Sequence, residues 1–524
     1  MEQVIFQDKD TIAAIATPYG VGGIAIIRVS GPEALNIVSR AWKGACLNQA
    51  DSHTAHLGYY VSLDDKILDQ ALATVFRAPG SFTGENVVEI AVHGSTWIQR
   101  EVLHDLIKRG ARIANPGEYT QRAFINGKLD LAQAEGIADL ISASSKAAHD
   151  MAINQTRGAF SKEFNNLRDK LIEFASLIEL ELDFAEEEVE FADRSALVSL
   201  LNNIIGKISG LTASFERGAV LKNGVPVVIA GVPNAGKSSL LNLLLNDDKA
   251  IVTDIPGTTR DIIEDTIELN GILYRFIDTA GLRTTEDKVE GIGVERAHQA
   301  LKKAYIALWI LDPTSPIEPQ LSELERFHQS SLKVKIIPLV NKQDLFPDIH
   351  DYIARSISPL LKRSLAGTPP HFSDKDDCAS LSNHSVETKV ISGENKAETR
   401  GDIRNSDPTE GNSQVKGNNF DEIIPISTKT GEGIEELLKR LHDLSTDSID
   451  TEKDIIVTNA RHFEDLTKAL EALKATRLSL AEGLPADLVA QDIRQAISHL
   501  SSITGSITST HLLHSIFSRF CIGK

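Results

Sequence analysis

Cysteine is scarce in this sequence, with Cys46, Cys378 and Cys521 the three thiols among 524 residues. They are too few and too widely spaced to form a disulfide framework or a zinc site. This usage is typical of a protein that folds in a reducing compartment, so we expect a cytoplasmic protein.

Long apolar runs are missing as well. None approaches the ~20 residues that span a bilayer, and the longest, such as IALWIL, have the length of a buried strand. The opening stretch MEQVIFQDKDTI is acidic and lacks the apolar core of a secretory signal. The sequence therefore predicts no association with a membrane.

Basic residues are fewer than acidic ones. The chain has 54 Lys and Arg and 73 Asp and Glu, which gives a formal net charge of −19. A protein that coats nucleic acid needs a basic face that displaces counterions. This excess of negative charge excludes a protein that coats nucleic acid over its whole surface. Any nucleic acid handled by this chain must meet a local basic patch or arrive with a partner.

The texture of the sequence changes along the chain and predicts three domains. Residues 1–125 alternate strand-like and helical runs, which predicts a compact α/β domain. Residues 126–221 and 448–524 have helical periodicity throughout. Between them, residues 222–447 alternate five apolar strand-like runs with helical ones, which predicts a mostly parallel sheet covered by helices. The helical domain is therefore interrupted by an inserted α/β domain, within which the polar residues 365–419 predict a disordered insertion.

An apolar stripe marks the first helical region. Large side chains recur there at steps of three and four residues, as expected for one buried helix face. The stripe consists of Phe164, Leu167, Leu171, Phe174, Ile178 and Leu182. It predicts packing against other helices.

The stretch GVPNAGKSS fits the P-loop pattern between Gly231 and Ser238. It follows a strand-like run and precedes a helical one, the context that this motif requires. Gly231 and Gly236 let backbone amides close around phosphate oxygens, and the helix N-terminus adds positive potential. Lys237 would reach the β- and γ-phosphates, and Ser238 would bind Mg²⁺.

Four further motifs follow in the order of a GTPase: TDIPGTTRD from Thr253, DTAG from Asp278, NKQD from Asn341 and STK from Ser427. In NKQD, Asp344 can accept two hydrogen bonds from guanine that adenine cannot donate, so the sequence predicts GTP rather than ATP. Thr259 is the predicted second side-chain ligand of Mg²⁺. The residues predicted to bind GTP are Asn234, Ala235, Gly236, Lys237, Ser238, Ser239, Thr253, Asp254, Ile255, Pro256, Gly257, Thr258, Thr259, Asp278, Thr279, Ala280, Gly281, Asn341, Lys342, Asp344, Ser427, Thr428 and Lys429.

A family resemblance extends over essentially the whole chain outside the insertion. It is carried by Asn234 in the P-loop, by TDIPGTTRD, by VEGIG after DTAGLR, and by the stretches ATPYGVGGIAIIRVSG, SFTGENVVEI, NPGEYTQRAFINGKLDLAQAEGIADLI and FCIGK. Together they resemble the MnmE (TrmE) family of tRNA-modification GTPases. The resemblance implies an α/β P-loop GTPase domain inserted into a helical domain, preceded by an α/β (α+β) domain that binds tetrahydrofolate and dimerises.

The resemblance also implies a mechanism for GTP hydrolysis. A potassium ion would lie against the phosphates, where other GTPases receive an arginine finger that supplies ~10³–10⁵ in rate. Its implied ligands are Asn234, Thr253, Ile255 and Thr258, mostly through carbonyl oxygens. Glu290 matches the catalytic glutamate that orients or deprotonates the attacking water, and Lys237 also counts as catalytic.

The folate contacts implied by the resemblance are Arg28, Glu89, Lys128 and Lys524. The ligand would be 5,10-methylene- or 5-formyl-tetrahydrofolate, with Glu89 accepting from the pterin and the basic residues pairing with its glutamate tail. The terminal CIGK ends in lysine and lacks a preceding polybasic run, so we do not expect prenylation. Cys521 is either a nucleophile or acid/base near the one-carbon unit, or a packed inert thiol.

The resemblance implies that the protein works as a homodimer with the FAD-dependent flavoprotein MnmG (GidA) in a heterotetramer. With GTP hydrolysis to GDP, the pair would add a carboxymethylaminomethyl-type group at carbon 5 of the wobble uridine of certain tRNAs, FAD being held by the partner alone.

Two other classes of GTPase stay open as alternatives. A ribosome-assembly GTPase acting as an RNA-binding switch would carry a basic appended domain, which the net charge of −19 opposes. A membrane-associated GTPase would need an amphipathic or membrane-spanning element, and the sequence offers none.

Overall fold

The computed structural model describes residues 10–183, 194–245, 251–252, 264–277, 304–330, 334–359, 361, 423–446, 454–482, 484–518, 520 and 522–523. Within these ranges the strands are β1 Ile12–Ile15, β2 Ile24–Ser30, β3 Trp42–Gly44, β4 Thr54–Val61, β5 Ile67–Phe76, β6 Val87–His93, β7 Arg112–Ile113, β8 Val225–Gly231, β9 Ile251–Val252, β10 Glu264–Leu269, β11 Ile272–Ile277, β12 Ile306–Leu311, β13 Lys335–Val340 and β14 Ile424–Pro425.

The helices in the same ranges are α1 Ala34–Ser39, α2 Thr96–Lys108, α3 Glu118–Ile125, α4 Leu131–Ser142, α5 Lys146–Thr156, α6 Ala159–Asp183, α7 Arg194–Asn223, α8 Lys237–Leu245, α9 Ile317–Ser330, α10 Ile349–Tyr352, α11 Ile434–Thr446, α12 Ala460–Ala481, α13 Ala486–Thr504 and α14 Thr510–Phe517. Short 3₁₀ turns lie at Leu47–Gln49 and Gln343–Leu345, and a π-helical turn lies at Ile353–Ile357. No described helix combines the length and apolar character that crossing a bilayer requires.

The chain divides into two compact units. The first comprises Met1–Pro226, Asp247–Arg275 and Leu438–Lys524, and the second comprises Val227–Asn246 and Phe276–Leu437. The first unit thus holds the N-terminal sheet and the helices of both helical segments.

A seven-stranded sheet organises the N-terminal part of the first unit, in the order β3-β4-β5-β6-β2-β1-β7. Its neighbouring strands are antiparallel except for β1 and β7. Alternate residues such as Ile27, Val29 and Ile90 point into a core that includes side chains of α1 and α2. The register places Arg28 directly opposite Glu89, which brings two predicted site residues together.

The helical part of the first unit is built around α6, α7, α12 and α13. The apolar stripe of α6 is buried as predicted, with Phe164, Leu167, Leu171, Phe174 and Ile178 in one core with residues of the other three helices. Each large apolar side chain buried in this way stabilises the fold by about 1.5–3 kcal/mol. The side chain of Leu182, the last member of the predicted stripe, lies outside the described part.

A hairpin also belongs to the first unit. Here the strand order is β11-β10-β9, and β9 and β10 are antiparallel. The turn between β10 and β11 reaches the start of α5, where the Ala147 amide donates to the Gly271 carbonyl at 2.9 Å. The Lys146 amide donates to the Glu268 carboxylate at 3.1 Å, and the Ala148 amide donates to the Ser145 hydroxyl at 3.2 Å. The first amides of α5 are therefore capped largely by the hairpin.

The second unit contains a mostly parallel sheet in the order β14-β13-β12-β8-β11, to which β11 contributes its last two residues. The β8–β12, β12–β13 and β13–β14 pairs are all parallel. Apolar side chains of α9 pack with Trp309 and Leu311 in a core on the sheet. Because parallel strands end at one edge, the loops after β8, β12, β13 and β14 lie together there.

The predicted fold class is confirmed: an α/β domain precedes helices, and a mostly parallel α/β sheet interrupts the helical chain. All five strand-like runs predicted in the inserted domain form strands. The antiparallel pair of β9 and β10 was not predicted, and the insertion 365–419 lies outside the described residues.

Candidate functional site

The P-loop joins β8 to α8 and is shaped by two glycines. Gly231 and Gly236 have φ of 138° and 102°, values that side-chain-bearing residues rarely adopt. A Cβ at Gly231 would collide with the Ile310 carbonyl, and one at Gly236 with the Asn341 side-chain amide. Only glycine therefore fits at these two positions. The loop leads directly into the N-terminus of α8, where backbone amides favour binding of an anion.

Lys237 is the first residue of α8, and its ammonium folds back over the loop. It donates to the carbonyls of Gly231 at 2.7 Å and Val232 at 2.9 Å. Burial lowers the pKa of Lys237, with Glu323 opposing the shift. The ammonium is thus held inside the loop by two neutral acceptors, which phosphate oxygens can replace.

Asn341 connects three loops at this edge of the sheet. Its side chain is 2% exposed and donates to the Ala235 carbonyl at 2.7 Å. Its side-chain oxygen accepts from the Thr428 amide at 3.1 Å, and its nitrogen lies 3.3 Å from the Thr428 hydroxyl. The P-loop, the loop after β13 and the loop after β14 are therefore joined through one amide.

Asp344 is exposed at the same edge, and its orientation is fixed from one side. The Ser427 hydroxyl donates to Asp344 Oδ1 at 2.8 Å, while Ser427 itself is fully buried. One oxygen of the carboxylate is thereby anchored and the group still faces solvent. This arrangement suits a carboxylate that accepts hydrogen bonds from a ligand.

Lys342, which precedes Asp344 by two residues, has φ of +66° and turns the chain sharply after β13. Its ammonium donates to Asp312 Oδ2 at 2.6 Å and to the Thr314 hydroxyl at 3.1 Å. Burial would raise the pKa of Asp312, but hydrogen bonds from Lys342 and Thr314 outweigh it and lower the pKa. Sequence reasoning missed Asp312, although a carboxylate directly after an apolar strand, in LDPTS, is a signal of the kind used for Asp278 and Asp344.

The remaining predicted residues of the nucleotide site divide into two groups. Asn234 is exposed with φ of +62°, Ser238 is half-buried in the first turn of α8, and Ser239 and Lys429 are exposed. The other group lies outside the described residues: Thr253, Asp254, Ile255, Pro256, Gly257, Thr258, Thr259, Asp278, Thr279, Ala280, Gly281 and Glu290. In the described ranges, no three His, Cys, Asp or Glu side chains cluster as metal ligands.

The predicted folate residues Arg28 and Glu89 form an ion pair on neighbouring strands. Arg28 Nε and Nη2 both lie 2.8 Å from Glu89 Oε1, and the two side chains are 17% and 26% exposed. Among the described residues, none donates to Glu89 Oε2. Aromatic rings of Phe82 and Tyr119 lie 5.8 and 5.6 Å from the Arg28 guanidinium carbon. Within the described residues, Glu89 Oε2 thus has no donor, and two aromatic rings lie beside its partner Arg28.

The C-terminal tail lies beside this ion pair. Arg28 Nη1 donates to the Gly523 carbonyl at 3.2 Å. Phe517 and Phe520 are buried with residues of α4, and a Cβ at Gly117 would collide with the Phe517 carbonyl. Lys128 donates instead to the Pro79 carbonyl at 3.0 Å. Cys521 and Lys524 lie outside the described residues.

Comparison with known proteins matches two family models to this chain. The model for the N-terminus of GTP-binding protein TrmE matches residues 11–128, and the model for the MnmE helical domain matches residues 131–521.

Whole-chain relatives are similar along their full length. A protein of Parabacteroides distasonis is 45% identical, covering 98% of this chain and 100% of its own. A protein of Bacteroides thetaiotaomicron is 44% identical, covering 99% of this chain and 100% of its own. A protein of Cytophaga hutchinsonii is 43% identical, covering 98% of each chain. Each relative is named tRNA modification GTPase MnmE. With two family models, full-length relatives above 40% identity and a P-loop edge that fits them, this chain belongs to the MnmE family of tRNA modification GTPases.

Proposed function

We propose that the chain is a potassium-activated GTPase that hydrolyses GTP to GDP and phosphate. With a FAD-dependent flavoprotein of the MnmG (GidA) type, it adds a carboxymethylaminomethyl-type group at carbon 5 of the wobble uridine of certain tRNAs. The family membership supports the coarse activity. The observation that carries the nucleotide assignment is the joining of the P-loop, NKQD and STK loops through Asn341.

Selection of GTP follows from the carboxylate at this edge. Asp344 keeps one oxygen on Ser427 and faces solvent with the other, so it can accept from the N1 and exocyclic amine of guanine. Adenine has no donors in that pattern and would leave the carboxylate unpaired. Asn341, Lys342, Ser427, Thr428 and Lys429 complete the base side of the site. On the phosphate side Asn234, Ala235, Gly236, Lys237, Ser238 and Ser239 surround the phosphates with amides and an ammonium.

The residues of the P-loop fit the two cations. Ser238 at the start of α8 offers a hydroxyl to Mg²⁺, with Thr259 as the second ligand, and Asn234 offers an exposed amide oxygen to K⁺ with Thr253, Ile255 and Thr258. Potassium, when bound, supplies positive charge beside the β- and γ-phosphates. Lys237 exchanges its carbonyl partners for phosphate oxygens, and Glu290 orients or deprotonates the attacking water.

A tetrahydrofolate derivative fits the Arg28–Glu89 pair. Glu89 Oε2 would accept from the pterin, and Arg28, Lys128 and Lys524 would pair with the glutamate tail, with Lys128 leaving the Pro79 carbonyl to do so. The ligand is 5,10-methylene- or 5-formyl-tetrahydrofolate. Gly523, two residues after Cys521, lies beside Arg28, which supports a place for Cys521 near the one-carbon unit.

A homodimer through the N-terminal domain is supported by an apolar sheet face. Leu57 and Leu72 are paired across β4 and β5 and are 65% and 39% exposed, with Tyr59 and Ile67 also exposed. Apolar patches of this kind mark interaction sites. The flavoprotein, which alone carries FAD, would join this dimer in a heterotetramer that receives tRNA in the cytoplasm.

Initial GTPase rates of the full chain in potassium and in sodium chloride test the proposal. We expect hydrolysis to be at least about tenfold faster in K⁺ than in Na⁺, with the ~10³–10⁵ that an arginine finger supplies as the upper range. Asn234→Ala and Asn234→Gly should both remove the preference while GDP still binds, and the glycine variant keeps the left-handed backbone unstrained. Asn36→Ala, at an exposed amide of α1, is the matched control. Equal rates of the natural protein in both salts would overturn the proposal.

A further inference from the structure

Asp312 is a buried carboxylate at the nucleotide edge that belongs to none of the GTPase motifs. It follows the last residue of β12, which lies beside the last residue of β13 in the register Leu311↔Val340. Its side chain is 5% exposed. Such a group is costly to bury unless it is paired, so its partners indicate what it does.

The carboxylate is fixed on its own side of the site. Asp312 Oδ1 accepts from the amide of Thr314 at 2.9 Å and from its hydroxyl at 2.6 Å. The backbone of Asp312 makes two hydrogen bonds with the side chain of Gln320, which is 2% exposed: the Asp312 amide donates at 2.8 Å, and its carbonyl accepts at 2.9 Å. Oδ2 is thereby held at a defined position.

Among the described residues, Oδ2 has one charged partner, the Lys342 ammonium at 2.6 Å. The Lys342 side chain is 30% exposed, so without Asp312 its ammonium could move into solvent. A charge-assisted hydrogen bond at this distance is about twice as strong as a neutral one. The four-carbon stem of Lys342 is thus tied at both ends, to the turn after β13 and to Asp312.

We infer that Asp312 is a positioning residue for guanine-nucleotide binding, which holds Lys342 so that its aliphatic stem forms one wall of the base site next to Asp344. The inference rests on the proposed function. A lysine stem that is already ordered loses little conformational freedom when the base binds. The affinity is therefore higher than it would be for a mobile stem, because the entropic cost of ordering the stem is not incurred on binding. Asp312 needs no contact with the nucleotide to act in this way.

The test is a double-mutant cycle on the full chain, with N-methylanthraniloyl-GDP as the probe in equilibrium titrations. Asp312→Asn removes the charge and keeps an oxygen for Thr314, while Lys342→Met keeps an apolar stem without the ammonium. We expect Asp312→Asn to weaken binding about tenfold in the natural background. In the Lys342→Met background it should weaken binding less than about twofold, because residues that act through one another are not additive.

Controls separate positioning from loss of structure. Asp351→Asn makes the same chemical change at an exposed pair with Arg355 in the same unit, and it should leave binding unchanged. Thermal unfolding of the nucleotide-free proteins reports stability independently. If Asp312→Asn does not fold, Thr314→Val removes a neutral partner of the Lys342 ammonium, and a loss of about threefold is expected.

Each outcome decides the inference. If Asp312→Asn lowers the affinity for the probe equally in both backgrounds, Asp312 acts independently of Lys342 and the inference is overturned. Unchanged affinity of Asp312→Asn would also overturn the inference. If Asp312→Asn does not fold, unchanged affinity of Thr314→Val would do so in its place. A natural protein that fails to bind the probe would instead overturn the proposed function, so the two failures are distinguishable.

Discussion

Glu135 is the buried acid of an ion cluster that ties the two helical segments together. Its carboxylate on α4 lies 2.6 Å from His462 Nε2 and 2.7 Å from Arg461 Nη2, both on α12, and Arg461 Nε reaches the other oxygen at 3.0 Å. Glu135 is 7% exposed and His462 is fully buried. We predict that Glu135→Gln, which keeps the shape and removes the charge, destabilises the protein strongly.

The magnitude follows from the pKa. Burial would raise the pKa of Glu135, but His462 and Arg461 outweigh it and lower the pKa from 4.5 to about 2. A pKa difference of one corresponds to 1.36 kcal/mol, so this lowering of the pKa corresponds to about 3 kcal/mol of folding stability. Truncating one partner of a buried ion pair costs a similar amount, about 3–5 kcal/mol. Because the folded pKa is depressed, this stability is complete above pH 4.5 and is lost as pH falls from 4.5 towards 2.

The change in stability can be measured by hydrogen exchange of the α4 and α12 amides, followed by mass spectrometry at pH 7 and pH 4. This method reports the opening free energy of these helices separately from the other domains of the chain. The difference in opening free energy between the natural protein and Glu135→Gln should be about 3 kcal/mol at pH 7 and should narrow at pH 4. Glu464→Gln, at the solvent-exposed pair with Lys468 on α12, is the matched control and should change neither value. A difference below about 1 kcal/mol, or one that does not depend on pH, would refute the reasoning.

Two further predictions concern the N-terminal domain. Glu89→Gln should weaken binding of 5-formyl-tetrahydrofolate about tenfold by calorimetry, whereas Glu101→Gln, at an exposed pair on α2, should not; unchanged affinity of Glu89→Gln would remove Glu89 from the folate site. Gly117→Ala should lower the melting temperature more than Gly127→Ala, because both glycines have φ of 67° but an added Cβ meets the Phe517 carbonyl only at Gly117. Equal melting temperatures of these two variants would mean that the tail does not depend on the close approach.

Local patterns in the sequence were sufficient for much of the architecture. The five predicted strands of the inserted domain are largely apolar runs, and the stripe on α6 has helical spacing, so each could be recognised within its own window. The P-loop was equally recognisable, because its glycines are required by backbone geometry within nine residues. Strands β9 and β10 escaped prediction because the described part of β9 is two residues long and β10 (EDTIEL) mixes acidic with apolar residues, unlike the apolar runs of the predicted strands.

Contacts between distant residues could not be predicted. Glu135 and Arg461 are separated by 326 positions, and nothing near either residue indicates the other. The bond between Asp312 and Lys342 spans 30 positions and depends on the adjacency of β12 and β13. Such pairs become visible only when the topology is known, which is why the motif residues were predicted and the residues that hold them were missed.

The hairpin of β10 and β11 completes the first turn of α5, although the hairpin belongs to the inserted stretch and α5 to the host helices. Cutting out residues 225–446 and rejoining the ends would leave the amides of Lys146 and Ala147 to donate to water in place of Glu268 and Gly271. The host would then lose helix-end hydrogen bonds worth about 0.5–1.5 kcal/mol each. The hairpin, although it comes from the inserted stretch, is thus a structural component of the helical domain, and a truncated protein should keep it.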